Sequence, residues 1–139
     1  MVTSPIARQA IVRAKEIARA NGTKIAVTCS DPAMVKYFRD GIDLILEGGV
    51  DVLFCNEEEG KLLTGTDDAQ EALQLLQQKA KLVALTLGKN GALVGDGERQ
   101  VAVPGVKVKA IDTNGAGDMF AGAMMFGLIR NYSLAACGL

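Results

Sequence analysis

The chain has 139 residues, enough for one domain with a real core, since a chain of about 150 residues buries roughly 70% of its unfolded surface. It is 49% hydrophobic and 22% charged, with 15 basic residues against 16 acidic ones and a formal net charge of -1, neither sign gathering into a block. That balance excludes disorder, and it gives no electrostatic footing for nucleic acid or an anionic membrane as a partner.

Residues 1 to 20 read as an amphipathic helix rather than a secretory signal. Ser4 and Pro5 supply an N-cap and first turn, and Ile6, Ala10, Ile11, Ala14, Ile17 and Ala18 recur at helical spacing until Gly22. Lys24 to Cys29 (KIAVTC) is a β-branched run suited to a strand buried on both sides. Ser30-Asp31-Pro32 turns the chain into a second helical stretch through Met34, Tyr37, Phe38, Ile42, Ile45 and Leu46, with Gly41 as its candidate break and Gly48-Gly49 as its stop. Asp51 to Cys55 reads as the next strand, residues 57 to 63 and 68 to 80 as helices, and Lys81 to Leu87 as a third buried strand. The alternation predicts an α/β fold with a mostly parallel sheet covered by helices.

After Gly91 the period changes. Ala92 to Val94 and Gln100 to Val103 flank Asp96-Gly97, which predicts a β-hairpin near residues 92–103. Val106, Val108 and Ile111 predict a further strand, and Ala116 to Ile129 a helix of small and apolar residues. Ser133 caps a last helix with room for one turn before Leu139. No linker or repeat divides the chain. Because it opens on a helix and closes on a single turn, residues 1–139 are expected to form one incomplete domain of a larger protein.

The sequence contains no histidine, which excludes Ser-His-Asp and Cys-His catalysis and His-ligated metals, so proton transfer falls to carboxylates, lysine or tyrosine. Cys29, Cys55 and Cys137 are odd in number and widely spaced, which fits neither a disulfide framework nor a zinc site and points to a reducing, cytoplasmic setting. The most informative segment is Asp112 to Asp118 (DTNGAGD), between a predicted strand and a predicted helix. Gly115 and Gly117 let backbone N–H groups converge, and the helix starting there turns its positive end to the same point, forming an anion hole. Asp118 falls in the first turn, where the dipole favours a negative charge and a carboxylate can accept a proton. Phosphoryl transfer asks for both items. Alone, so short a glycine motif is weak, and a plain helix cap accounts for it.

Two other clusters add to it. In FCNEEEG, Asn56 and Glu59 place an amide and a carboxylate on one helical turn, able to hold a hydrated Mg²⁺ near phosphates; by themselves the three glutamates describe a solvated acidic turn. In TLGKNG, Thr86, Gly88 and Gly91 suit a close backbone approach to nucleotide phosphates, or an ordinary β-turn. All three clusters follow predicted strands at their C-terminal ends, where an open parallel sheet binds ligands. No GxxxxGK[ST] occurs, Phe120 stands where a dinucleotide fingerprint needs glycine, and protein-kinase HRD and DFG motifs are absent.

DTNGAGDMFAGA resembles the C-terminal signature of the PfkB family of carbohydrate and nucleoside kinases, Asn56 to Glu59 that family's Asn-x-x-Glu motif, and TLGKNGA its ATP-binding turn. The resemblance implies a ribokinase-like three-layer α/β/α fold and ATP with Mg²⁺ as cofactors. It implies Asp118 as catalytic base, Gly115, Ala116 and Gly117 as the anion hole, and Asn56 and Glu59 as organisers of Mg²⁺ and phosphate. Thr86, Gly88 and Gly91 would contact nucleotide, and Asp112 with the backbone of Asn114 would help hold a monovalent cation such as K⁺. The likeness covers nearly the whole chain but only about half of a family member, the part with the lid and most substrate contacts being absent. Activity of this chain alone is therefore not expected. Sugar-type members resemble Asp-Pro-Asn-x-Arg where this chain has Asp31-Pro32-Ala33-Met34-Val35, and Asn114 with the Phe54 to Glu59 context looks more like adenosine kinases. The implied reaction is transfer of the γ-phosphate of ATP to a nucleoside hydroxyl. The alternatives are a sugar acceptor or a non-catalytic nucleotide-binding module, and a homo-oligomer is a further expectation.

Overall fold

The computed structural model describes residues 3–138; Met1, Val2 and Leu139, which fall within the terminal expectations above, lie outside them. Strands β1 (Ala26–Thr28), β2 (Val50–Asn56), β3 (Ala80–Thr86), β4 (Ala92–Gly95) and β5 (Gln100–Val103) form one sheet in that order. The first three are parallel, and β3, β4 and β5 pair antiparallel through the hairpin predicted around Asp96-Gly97. Helices α1 (Pro5–Ala20), α2 (Pro32–Tyr37), α3 (Arg39–Leu46), α4 (Glu57–Thr64) and α5 (Ala69–Leu76) accompany the parallel part, and α6 (Ala116–Ile129) and α7 (Leu134–Gly138) follow the hairpin.

Alternation along the strands sends successive side chains to opposite faces. Leu53 and Cys55 of β2 join Val83 and Leu85 of β3 in a core with Val35, Ile42, Leu63, Leu73 and Leu76. Phe54, Leu82, Ala84 and Val94 face the other way, against Met124, Leu134 and Cys137. Helices thus cover the sheet on both faces, the three-layer arrangement. Between the elements the punctuation is local: Gly48 and Gly49 end α3 with φ of 69° and 78°, which glycine adopts without steric cost, and Asp31 N-caps α2 by accepting from Ala33 N–H at 2.6 Å. Ser133 caps α7 through Ala136 N–H at 3.3 Å.

Five expectations change. The strand expected at Lys24 to Cys29 is only three residues of β1, alternating exposed and half-buried, because β1 is the edge of this sheet and is covered on one face only. The helical break falls at Phe38, which leaves helical dihedrals to pack its ring against the core, whereas Gly41 is buried inside α3. The second predicted helix of residues 68 to 80 ends at Leu76, since Ala80 is already paired with Val50 in the sheet. Val106, Val108 and Ile111 form no strand: they are 77%, 76% and 96% exposed, and no strand of the described residues lies beside them to complete a ladder. On α1, Ile6 and Ile17 face solvent, Ser4 makes no side-chain cap, and Lys15 is the buried residue. Its ammonium donates to the carbonyls of Leu44, Ile45 and Glu47 at the C-terminal end of α3, where a cation satisfies orphan carbonyls.

Candidate active site

The C-terminal ends of the parallel strands open into a cleft of about 260 Å³. Asn56 and Glu59 line it from the β2–α4 junction, Thr86 from the end of β3, and Asn114, Gly115, Gly117 and Asp118 from the start of α6. Asn56 and Asp118, far apart in sequence, therefore share one space, as the sheet-edge argument required. Gly88, Gly91 and Ala116 line an adjoining cleft of about 300 Å³, which shares Thr86, Gly117 and Phe120 with the first. Asp112 lines neither. Its Oδ1 accepts from Asn114 N–H at 2.9 Å and shapes the turn ahead of the helix.

The turn itself suits an anion. Gly115 sits at the N-cap of α6 with φ of 75°, and no side chain caps the helix. Ala116 N–H donates to Thr113 O at 3.2 Å, while Gly117 and Asp118 N–H have no partner among the described residues. First-turn N–H groups need such partners, and here they face a cleft instead. A Cβ on Gly117 would meet no protein atom within 4 Å, so packing within these residues does not require glycine there; its smallness leaves the cleft open. Gly91 is different. With φ of 95°, its Cβ would lie 1.9 Å from Val103 O, so the turn and the end of β5 cross too closely for a side chain.

Asn56 and Glu59 form a reciprocal capping box: Glu59 N–H donates to Asn56 Oδ1, and Asn56 N–H to Glu59 Oε2, each at 2.8 Å. Asn56 keeps its amide NH₂ as a free donor, which suits a phosphate oxygen or a water. Glu59 keeps one carboxylate oxygen, which fits a hydrated divalent cation. Only 3% exposed, Glu59 has its carboxyl held above the ordinary range by burial, with Asp31 and Glu58 adding and the Asn56 N–H opposing. Among the described residues no cluster of three or more carboxylates and thiols is arranged to hold a metal by itself.

The lining contains two carboxylates, Glu59 and Asp118, and neither lysine nor arginine. A polyphosphate entering it would meet backbone N–H groups and hydroxyls, and its remaining charge calls for a cation brought with it. Thr28, Ser30, Thr113 and Phe120 also line the cleft and were not named as site residues from the sequence, where Phe120 entered only as a departure from a dinucleotide fingerprint. The rule that flagged Asn56 and Thr86, position just past a strand, flags Thr28 and Ser30 at the end of β1 equally well. Nearby, burial pushes the Cys29 thiol up to about 12 and Cys55 well above its ordinary value, so neither is a ready thiolate nucleophile. No helix among the described residues is long and apolar enough to cross a membrane.

Fold and cleft together define an α/β protein with a polar cleft at the strand ends. Residues 1–139 match the family described as pfkB family carbohydrate kinase, and the chain belongs to that family. It is 32% identical over 131 residues to a ribokinase of Lactococcus lactis, covering 91% of this chain and 43% of that protein. An adenosine kinase structure from Sinorhizobium meliloti superposes with a TM-score of 0.83 at 38% identity, over 93% of this chain and 40% of that one. A protein described as a candidate ribokinase II from E. coli, in complex with ATP and Mg²⁺, gives 0.86 at 25% identity, over 99% and 46%. The chain thus spans less than half the length of these relatives.

Proposed function

We propose that this chain carries the nucleotide-binding and catalytic face of an ATP-dependent phosphotransferase whose acceptor is the hydroxyl of an adenosine-like nucleoside. The observation that carries the reading is the single cleft joining Asp118 to the unpartnered N–H groups of Gly117 and Asp118, with Asn56, Glu59 and Thr86 opposite. Asp118 accepts the acceptor's hydroxyl proton as the oxygen attacks the γ-phosphorus and the bond from that phosphorus to the β,γ-bridging oxygen breaks, releasing ADP, while the Gly115-Ala116-Gly117 turn stabilises the charge on the transferring group. Glu59, through water, and Asn56, through its amide, organise Mg²⁺ and phosphate; bound Mg²⁺ supplies charge neutralisation that the cleft lacks. Thr86, Gly88 and Gly91 lie where the shared wall of the two clefts would lead from phosphates toward the nucleoside part of ATP. Asp112 and Asn114 are the candidates for K⁺. The similarity to an adenosine kinase supports a nucleoside. A sugar is the second reading, favoured by the similarity to a ribokinase.

The test is transfer of labelled γ-phosphate by the full protein carrying this chain to adenosine, ribose and fructose. Preferred transfer to adenosine is expected. Preference for a sugar would overturn the nucleoside assignment, and no transfer to any acceptor would overturn the kinase reading.

A further inference from the structure

Ser30 is one of two non-glycine residues with positive φ among the described residues, at 71°. The other, Asn131, follows α6, and asparagine tolerates this region through its short polar side chain. Serine at the end of a strand lacks that tolerance. Asp31 N–H donates to Cys29 O at 2.9 Å across it, closing a three-residue turn of the rare, left-handed kind. Ser30 N–H donates to Thr28 Oγ1 at 3.2 Å, and Asp31 is fixed on the far side as the cap of α2. The strained residue is thus clamped from both sides at the strand end that borders the active-site cleft. Such strain, when the surroundings hold it in place, marks sites of function.

Ser30 and Thr28 line the cleft on the β1 side, beyond Asn56, while Gly88 and Gly91 of the adjoining cleft lie past Thr86 on the other. The hydroxyl of Ser30 has no hydrogen-bond partner among the described residues. With no lysine or arginine lining this space, hydroxyls and amides are the side-chain donors that the chain itself offers to a phosphate. We infer that the Ser30 hydroxyl is a γ-phosphate-binding group, donating to the transferring phosphoryl from the wall opposite the Gly115 to Asp118 turn. The bend at φ 71° falls at the residue that lines the cleft. A neutral donor suits a lining that already holds the carboxylates Glu59 and Asp118, and its place on the side away from Gly88 and Gly91 assigns it to the phosphate end of ATP.

This inference rests on the proposed kinase reading, and the experiment separates the two. Binding of Mg²⁺ complexes of ADP and of a non-hydrolysable ATP analogue is measured by calorimetry on the full protein, for wild type, Ser30→Ala and Ser30→Gly, with melting temperatures alongside. Ser30→Ala removes the hydroxyl and keeps the strain; Ser30→Gly removes both, so its melting temperature should not fall. Both variants are expected to bind the ATP analogue about tenfold more weakly, the order expected for one hydrogen bond to a charged group, and ADP within about twofold of wild type. Unchanged affinity for the analogue in a folded Ser30→Gly, or equal loss for analogue and ADP, would overturn the inference while leaving the kinase reading intact. A wild type that binds neither ligand would overturn both.

Discussion

The two faces of the sheet use the same apolar alphabet with opposite outcomes. On the face covered by α1 to α5, Leu53, Leu73, Leu76 and Val83 are fully buried, Asp31, Asn56 and Asp68 cap helices, and Gly48, Gly49 and Gly65 turn the chain with positive φ. On the face of α6 and α7, Met124 is buried, but Met119, Phe126 and Ile129 are 76%, 55% and 79% exposed, and Val106, Val108 and Ile111 lie in the open beside them. Apart from exposed apolar side chains on its outer helices, Ile6, Ile17, Tyr37 and Leu75, the first region behaves as a finished core. The second is an open edge that carries the proposed anion-binding turn and leaves apolar surface exposed. Burial, not hydrophobicity, is what turns a leucine or isoleucine into a stabilising residue.

The sharpest break between the regions should come from Asp118. Asp118→Asn in the full protein is expected to lower kcat by roughly 10² to 10⁴, the range for losing a general base, with ATP affinity and melting temperature nearly unchanged. Steady-state kinetics with direct ATP titration checks this, and near-normal turnover would remove Asp118 from the mechanism. On the finished face the corresponding large effect is on stability. Leu73→Ala should cost about 2–5 kcal/mol in urea denaturation, because it opens a cavity in a closed core. Ile129→Ala, 79% exposed, should stay within about 0.5 kcal/mol. Similar costs at both positions would show that α6 is covered in solution by something the chain itself does not provide.

Gly117→Val tests the edge at finer grain. Its Cβ would meet no protein atom, so stability should hold, whereas ATP should bind roughly tenfold more weakly than before and AMP almost as before. Equal weakening of both nucleotides would mean the substitution disturbs the helix rather than the phosphate space.

The smallest effect concerns Glu59, which joins the two regions. Its pKa is raised in the folded chain, so the folded state holds the proton more tightly than the unfolded one. Its contribution to stability is therefore fully present below the ordinary value of 4.5 and is lost as pH rises through the folded value. Glu59→Gln keeps the capping geometry, since glutamine serves in a capping box, and should flatten that part of the stability profile. An unaltered slope in the variant would assign it to another group.

The sequence by itself determined the order of elements and most of the residues that line the candidate cleft. Strand–helix alternation, the Asp96-Gly97 turn, Gly48-Gly49, and the glycines of DTNGAGD each act locally, within a few residues, so a reader of the chain can find them. β2, α4, the hairpin and α6 lie where that reading put them, α6 residue for residue. Only the tertiary structure decided what depends on neighbours distant in the chain. Val106, Val108 and Ile111 have strand composition, but a strand exists only with a partner to accept its hydrogen bonds, and none pairs with them among the described residues. Lys15 reads as a polar position in an amphipathic helix, yet it is buried because α3 ends against it. Thr28 and Ser30 gave no motif; their place in the cleft follows from the parallel register that sets the end of β1 beside Phe54 and Asn56, and from a backbone bend that no residue preference announces. Local conformational preference is written in short runs of residues, whereas burial, pairing and the convergence of a site are properties of the folded chain.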